Sequence, residues 1–410
     1  MFKYLGPGIL LAGAAIGGSH LVASTQAGAH YGWSLLGILI LINLFKYPFF
    51  LYAQKYTAAT GETILDGYLR LGKGYLVVFF VLNIITGIIN MAGVSMITGS
   101  LATNFGLTQV SVPAITLVIM MLCVLVILLG GFSLLRSFGT TVVVVLGIST
   151  IIAMLISLIK GPVAAPGFAG ESPWTLASFG FVIVFMGWMP APIDVSVWPS
   201  LWMKSQEQIR QIPNTMREAM IDFHSGYLGS VFFAFVFLIL GKMVMYGSGI
   251  ELSSQGSVFA RQLIDLYSLT IGQWARPIIA IAAFSAMLST SLTTIDGYPR
   301  SLGTATRLLF PRSLFDNQEY QHIWIIVGVS AGFVIINNYP DNLGDILTTA
   351  MVISFLTAPV FAWLNYRIMF TDKVPPRFRP GRMLRLLSLA GIVFQAGFGL
   401  VFLYWYIVLH

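Results

Sequence analysis

The sequence predicts an all-α polytopic membrane protein: an inverted-repeat bundle of five plus five helices with one additional C-terminal helix, 11 transmembrane helices in all. Three observations lead to this fold class. Hydrophobic residues make up 57% of the 410 residues and charged residues only 9%, against roughly 25% charged residues in soluble domains. Eleven apolar stretches each approach the ~20 residues that span a bilayer core. Two of these stretches, five spans apart, are interrupted by residues that break helices.

The predicted spans cover most of the chain and leave no room for a soluble catalytic domain. A disulfide scaffold is also excluded, because Cys123 is the only cysteine. We treat 1–410 as a single transmembrane domain with a first repeat over 9–160, a second over 176–370 and the additional helix at 384–408. The spans run over 9–35, 36–56, 75–104, 112–130, 139–160, 176–201, 222–247, 270–297, 322–337, 343–370 and 384–408.

The basic residues alternate between the two sides of the predicted membrane. Of the 22 Lys and Arg residues, 17 fall on one side and four on the other, and Lys46 lies inside a span. Because cytoplasmic loops carry the excess of Lys and Arg, the N-terminus is predicted in the cytoplasm and His410 outside. We expect an integral protein of a bacterial inner (plasma) membrane, surrounded by lipid bilayer. The net charge of +7 follows from this loop rule and does not indicate a nucleic-acid partner.

Spans one and six each carry an interruption in mid-membrane. Span one contains two adjacent glycines followed by Ser and His, and span six contains Pro190 and Pro192. Two prolines at this spacing remove backbone donors and clash with the preceding turn, so an undisturbed helix is excluded. Unwound backbone is therefore expected at Gly17–His20 and Gly187–Pro192. Paired broken helices in corresponding positions of two halves are typical of a transporter's substrate site. The candidate substrate-binding residues are Gly17, Gly18, Ser19, His20, Trp188, Met189, Pro190, Ala191 and Asp194.

His20 and Asp194 are the ionisable groups nearest the breaks and the candidate coupling residues. An unperturbed imidazole changes charge near pH 6.5, within the physiological range. A lone histidine among apolar residues is also typical of a buried structural residue whose hydrogen bonds are satisfied. Charged residues within membrane spans are costly and commonly functional, whereas Asp222, Asp296 and Asp345 lie near span ends, where pairing with water or with Arg300 explains them.

Five short motifs occur in an order and spacing that resemble the Nramp family (natural resistance-associated macrophage proteins). They are Gly6-Pro7-Gly8, Ala27-Gly-Ala-His-Tyr-Gly-Trp33, Tyr52-Ala-Gln-Lys-Tyr-Thr-Ala-Ala-Thr-Gly61, Gly130-Gly131-Phe132 and Met189-Pro190. The family consists of proton-coupled divalent metal transporters of the LeuT type. The resemblance thus implies a LeuT-type fold, a metal ion as substrate and no resident cofactor.

The chain departs from this family at the metal site. The metal-binding "DPGN" motif falls on Gly17–His20, so the ligating Asp becomes Gly17 and the Asn becomes His20. The methionine of "MPHN" is retained as Met189, but Ala191 and Pro192 replace the two residues after the proline.

The departures extend to the proton route. The family's acidic positions in span three fall on Asn90 and Gly93, and its glutamine in span ten falls near Met351. A divalent cation in mid-membrane needs anionic or strong oxygen and nitrogen ligands. His20, Met189 and Asp194 are the remaining candidate metal ligands.

Two functions follow from these residues. The first is a secondary active metal transporter with a rebuilt site. The second is a transporter of a small organic solute or an anion, such as an amino acid, because Gly17, Gly18 and Ser19 begin a half-helix whose dipole favours negative charge. A non-transporting receptor is a third class, but the two breaks cost stability without purpose outside a pathway. Enzymatic activity is not predicted, because no phosphate-binding loop or metal-hydrolase spacing occurs.

Overall fold

All regular secondary structure in the described part of the chain is helical. The computed structural model describes residues 6–250, 252–253 and 255–409, so His410 lies outside the described residues. Nine helices in these ranges are long and apolar enough to cross a bilayer, the bent pair Pro7–Ala15 and Ser19–Tyr31 makes a tenth span, and Val144–Lys160 is a shorter apolar helix. These segments coincide with the eleven predicted spans and support the predicted fold class.

The first half of the chain contains six helices and one π-helical turn. The turn covers Ser19–Ser24 and joins the two halves of span one. The helices are α1 (Pro7–Ala15), α2 (Thr25–Tyr31), α3 (Leu36–Thr60), α4 (Ile64–Leu71), α5 (Lys73–Ala102) and α6 (Val112–Lys160).

The second half contains eight helices. A 3-10 turn over Ile193–Ser196 joins the two halves of span six. The helices are α7 (Leu176–Trp188), α8 (Val197–Arg210), α9 (Met216–Val244), α10 (Gly256–Ile271), α11 (Arg276–Leu309), α12 (Asn317–Asn338), α13 (Leu343–Ile368) and α14 (Arg382–Tyr404).

Spans four and five are joined without a break in the helical backbone. The sequence predicts a connection at Gly130–Phe132, but α6 continues from Val112 to Lys160. The interior of this stretch contains no proline after Pro113, and glycine weakens a helix without removing its hydrogen bonds. The connection between the two predicted spans is therefore itself helical.

Two short helices lie between spans and were not predicted. The first, α4, begins with a capping box in which Thr63 and Asp66 satisfy each other's backbone amides. The second, α10, lies between spans seven and eight. The two helices occupy corresponding places in the two halves, which favours the predicted repeat over 9–160 and 176–370.

Burial separates the centre of the bundle from its lipid-facing edge. In span six, 67% of the most apolar window is buried, against 28% in α14. Val393 and Leu400 on α14 are exposed by 70% and 69%, as expected for side chains that face lipid tails. The additional C-terminal helix is therefore peripheral. Span six and the similarly enclosed span one meet α9, α11 and α13 at the centre.

Candidate functional site

The break in span one lies slightly earlier than the sequence predicts. Helix α1 ends at Ala15, Ile16 and Gly17 form a turn, and the π-helical turn begins at Ser19. The two half-helices are bent by 43°. His20 therefore lies in helical backbone, and the expectation of unwound backbone through His20 is wrong. π-Helical turns occur mostly as local insertions in helices and are frequent at functional sites.

The break in span six is a short extended segment. Helix α7 continues through Trp188, and the backbone is non-helical only from Met189 to Pro192. Gly187, predicted to be unwound, is helical. A Cβ atom at Gly187 would lie 2.1 Å from the carbonyl oxygen of Met351. Glycine is needed there because α13 passes so close to the end of α7.

A small cavity of about 40 Å³ lies between the two breaks. One water molecule needs roughly 10–15 Å³ of such a cavity, so there is room for about three groups of the size of a water molecule. Of the predicted site residues, Gly18, Ser19, Trp188 and Ala191 line it. The other lining residues are mainly aromatic, hydroxyl or amide side chains with small apolar neighbours: Ala14, Ala15, Asn90, Val94, Pro192, Val195, Trp198, Thr290, Thr294 and Tyr298.

The position to which the sequence resemblance assigns the family's ligating aspartate, Gly17, is closed by packing. A Cβ atom at Gly17 would lie 2.0 Å from Oγ1 of Thr290. Thr290 itself donates to the carbonyl oxygens of Gly13 and Ala286, each at 3.1 Å. The space that an acidic side chain needs at this turn is thus occupied by α11.

His20 is completely buried and faces α9. Its Nε2 lies 2.7 Å from the carbonyl oxygen of Ser230, and its Nδ1 lies 2.7 Å from both Ser19 Oγ and the Ala15 carbonyl oxygen. A neutral ring can donate from Nε2 and accept the Ser19 hydroxyl at Nδ1. A protonated ring can donate from both nitrogens, to Ser230 and Ala15. Both charge states of His20 therefore have partners, but the single hydroxyl hydrogen of Ser19 must point to Nδ1 when the ring is neutral and is released from it when the ring is protonated.

Ser19 joins the two breaks. Its Oγ lies within hydrogen-bonding distance of the Ala15 carbonyl oxygen and 3.2 Å from the carbonyl oxygen of Pro190. Ser24, one turn further along, donates to the Ala234 carbonyl oxygen at 2.9 Å and lies 3.7 Å from the sulfur of Met189. The second half of span one thus contacts the extended segment of span six.

Asp194 follows the break in span six and is 1% exposed. Its Oδ2 accepts a hydrogen bond of 2.6 Å from Thr86 on α5. Asn90, one turn along α5, lines the cavity and donates to the Thr86 carbonyl oxygen at 2.7 Å. His20, Met189 and Asp194 are buried around the cavity but are not among its lining residues. In the described ranges, no group of three or more His, Cys, Asp and Glu side chains is arranged to hold a metal ion.

Lys46 is a site residue that the sequence analysis overlooked. It is completely buried, and its Nζ donates to the carbonyl oxygens of Met186, Gly187 and Ala191 at 2.8, 2.9 and 3.1 Å. The signal was present in the sequence, because a lysine inside an apolar span is functional by default. By charge alone, Lys46 is only a residue that belongs to neither side of the membrane.

The carboxylates near span ends have structural partners. Asp222 accepts hydrogen bonds from the amides of Gly6 and Gly8 at 2.7 and 2.6 Å, where the positive end of the α1 dipole favours a negative charge. Asp296 pairs with Arg300 at 2.6 Å, as predicted, and accepts from Trp202 Nε1 at 2.8 Å.

An aromatic layer separates the central cavity from a larger one. Trp198 packs edge-on against Tyr298 and Trp202, with ring centroids 4.9 and 5.7 Å apart. Trp198 lines the central cavity, while Arg300, beyond Trp202, lines a cavity of about 520 Å³ together with Lys204. Because both basic residues lie on the predicted cytoplasmic side, the larger cavity is the expected inner vestibule.

The chain matches known proteins over nearly its whole length. Residues 8–405 match the family described as natural resistance-associated macrophage protein-like. An uncharacterized protein of Pasteurella multocida (strain Pm70) is 39% identical over 405 residues, covering 98% of this chain and 92% of the relative.

Two solved structures show the fold at low sequence identity. A manganese transporter of Eremococcus coleocola, solved as a mutant, superposes with a TM-score of 0.68 at 14% identity, covering 97% of this chain and 85% of that chain. MhsT in complex with L-phenylalanine superposes with a TM-score of 0.65 at 13% identity, covering 97% and 98%. The predicted LeuT-type bundle is therefore confirmed. The family consists of membrane transporters, which confirms that the chain is not an enzyme, and the chain belongs to the Nramp family.

Proposed function

We propose that this transporter carries a small organic solute with a carboxylate or other hydrogen-bonding groups. The main support for this proposal is the set of residues that line the cavity. Ser19, Asn90, Thr290 and Thr294 supply hydroxyl and amide groups, while aromatic rings form much of the rest of the lining. Pockets for organic ligands have this composition, a mainly apolar wall with a few convergent polar groups. The lining contains no carboxylate and no imidazole, the groups that divalent metals prefer.

The charge distribution favours an acidic group on the solute. The ammonium group of Lys46 lies at the second break, and a buried positive charge near the cavity disfavours a divalent cation there. At the first break, Gly18 and Ser19 begin the second half-helix and line the cavity. A half-helix start of this kind favours the carboxylate of a substrate. The cavity volume of about 40 Å³ limits the solute to a few non-hydrogen atoms unless the aromatic side chains move outward.

His20 is the proposed coupling group. Its ring has partners in both charge states, and its neighbour Ser19 lines the cavity and contacts Pro190. Proton uptake at Nδ1 would release the Ser19 hydroxyl from that nitrogen and change the hydrogen bonds available to the solute. Asp194, buried beside Thr86, is the second candidate.

Metal transport is the second candidate function. Membership of the Nramp family favours it, and Met189 is retained beside Ser24. In this case His20, Met189 and Asp194 would have to approach the cavity in another conformation, because they do not line it here.

Ligand binding by the purified protein separates the two candidates. We expect a small amino acid or monocarboxylate to raise the melting temperature in detergent, and manganese, cadmium and magnesium to leave it unchanged. Asn90→Ala should abolish the rise. Ser100→Ala, on the same helix, is the matched control, because its hydroxyl bonds only to the Met96 carbonyl oxygen of its own helix at 2.8 Å. A rise with manganese that persists in Asn90→Ala and disappears in Met189→Ala would establish metal transport instead.

A further inference from the structure

The ammonium group of Lys46 is fully coordinated by backbone carbonyl groups. Its three acceptors are Met186, Gly187 and Ala191, at 2.8 to 3.1 Å. An ammonium group has three N–H donors and no acceptor, so each donor has one partner. A neutral amine has only two N–H bonds and would leave one of the three contacts without a hydrogen. The geometry therefore fits the charged form.

The break in span six supplies the opposing charge. Met186 and Gly187 lie in the last turn of α7, where the helix dipole is negative and favours a cation. Ala191 contributes a carbonyl group from the extended segment, which the break has freed from helical bonding. Asp194, three residues further on, attracts the ammonium group electrostatically without direct contact. A buried charge is stable only when it is compensated in this way.

Side chains on α3 are well placed to reach this break. The helix packs against α8 and against the 3-10 turn that precedes α8. Lys46 extends from α3 across this interface to the end of α7. In transporters with broken helices, unwound carbonyls and half-helix C-termini are the groups that coordinate dissolved cations. In this protein, the same kind of groups contact a side chain.

We propose that the carbonyl groups of Met186, Gly187 and Ala191 form a monovalent-cation site that is filled by the tethered ammonium group of Lys46. The break then needs no dissolved cation to hold its two half-helices together. Removal of the side chain should leave an empty site that accepts a free cation of ammonium-like size. The proposal concerns the break alone and does not depend on which solute the central cavity takes.

The test is the melting temperature of the purified full-length protein at constant ionic strength. Ammonium, methylammonium, potassium and sodium chloride are compared with N-methylglucamine chloride, whose cation is too bulky for the site. The wild type should have the same melting temperature in all five chloride salts. Lys46→Ala should melt several degrees lower in N-methylglucamine and recover as ammonium or potassium is added, because a ligand that binds only the folded state stabilises it progressively with concentration.

Two further variants separate this role from a loss of charge or of packing. Lys55→Ala removes a half-buried lysine from the same helix and should show no cation dependence. Lys46→Arg should melt at a lower temperature than the wild type, because the planar guanidinium group cannot direct three donors to the same three carbonyl oxygens. If Lys46→Ala is recovered folded only when extracted in ammonium or potassium, the result supports the proposal equally.

Two results would overturn it. The first is a melting temperature of the wild type that rises with one of these cations, which would show that the break still binds a dissolved ion. The second is a Lys46→Ala variant whose stability responds to none of them.

Discussion

The two breaks replace their missing helical hydrogen bonds in different ways. At the first break, the replacements come from short side chains of the broken span itself, Ser19 and His20, which bond to the Ala15 carbonyl oxygen. At the second break, they come from Lys46, a residue about 140 positions earlier in the chain. The first break therefore uses contacts within its own span, among them those of the proposed coupling group His20, whereas the second depends on tertiary packing against α3.

Substitution of glycine should affect the second break most. In Gly187→Ala, the new Cβ would lie 2.1 Å from a backbone oxygen of Met351, which cannot rotate away. We expect the free energy of unfolding to fall by about 3 kcal/mol or more, at the upper end for overpacking. Gly18→Ala at the first break should cost less, because its Cβ meets the Trp188 side chain. Thermal melting of both variants measures the difference. Gly229→Ala is the control, because a Cβ atom at Gly229 would meet no neighbouring atom. Equal losses of stability in Gly187→Ala and Gly18→Ala would show that the two breaks do not differ in this respect.

Replacement of His20 should affect transport more than stability. In His20→Ala, loss of the bonds to Ser230 and Ser19 should lower the free energy of unfolding by about 1–3 kcal/mol. Uptake should fall more strongly, because the proposed titratable group is removed altogether. His20→Asn should restore little, because an amide does not titrate. Uptake of the identified substrate into proteoliposomes, measured between pH 5 and 8, is the readout. A variant that keeps the wild-type pH profile would exclude His20 as the coupling group.

Restoring an acidic residue at the first break should require two changes. Gly17→Asp alone should destabilise the protein, because Thr290 occupies the space of the new side chain. Adding Thr290→Ala should recover part of the loss, with a coupling energy of about 0.5–3 kcal/mol in a double-mutant cycle. Only the double variant should be stabilised by manganese. Manganese binding by the unmodified protein would show that the metal site was never lost.

The smallest effect is expected at the loop before α4. There the Arg70 guanidinium, 2.5 Å from Glu62, and the Lys373 ammonium, 3.3 Å away, lower the pKa of the Glu62 carboxyl below its usual value. A lowered pKa stabilises the folded state above the normal carboxyl range, and the effect is lost as the pH falls through the lowered folded-state pKa. Glu62→Gln should therefore leave the pH profile between 5 and 8 unchanged. A changed profile would mean that pH dependence in this range cannot be assigned to His20.

The spans and the approximate positions of both breaks could be predicted from the sequence. The contacts of Lys46 at the second break could not. Hydropathy is a property of each segment, so eleven spans follow from composition alone. Pro190 and Pro192 interrupt a helix in any environment, which explains why the second break was found. The prediction of unwound backbone through His20 was wrong, because glycine permits a break without requiring one. The proposed roles of His20, Met189 and Asp194 stay predictions.

By itself, the sequence determined a membrane transporter with two interrupted spans, because the length, apolarity and helix-breaking residues of a segment act locally. Tertiary structure alone decided what occupies each break. Thr290 lies 277 residues from Gly13, to which it bonds, and Lys46 lies 140 residues from Met186. Such contacts depend on how α3 and α11 pack against the broken spans, and no periodicity or motif within a single segment encodes that packing. The unwound carbonyls could accept either a free ion or a side chain, and the position of α3 places the Lys46 ammonium there.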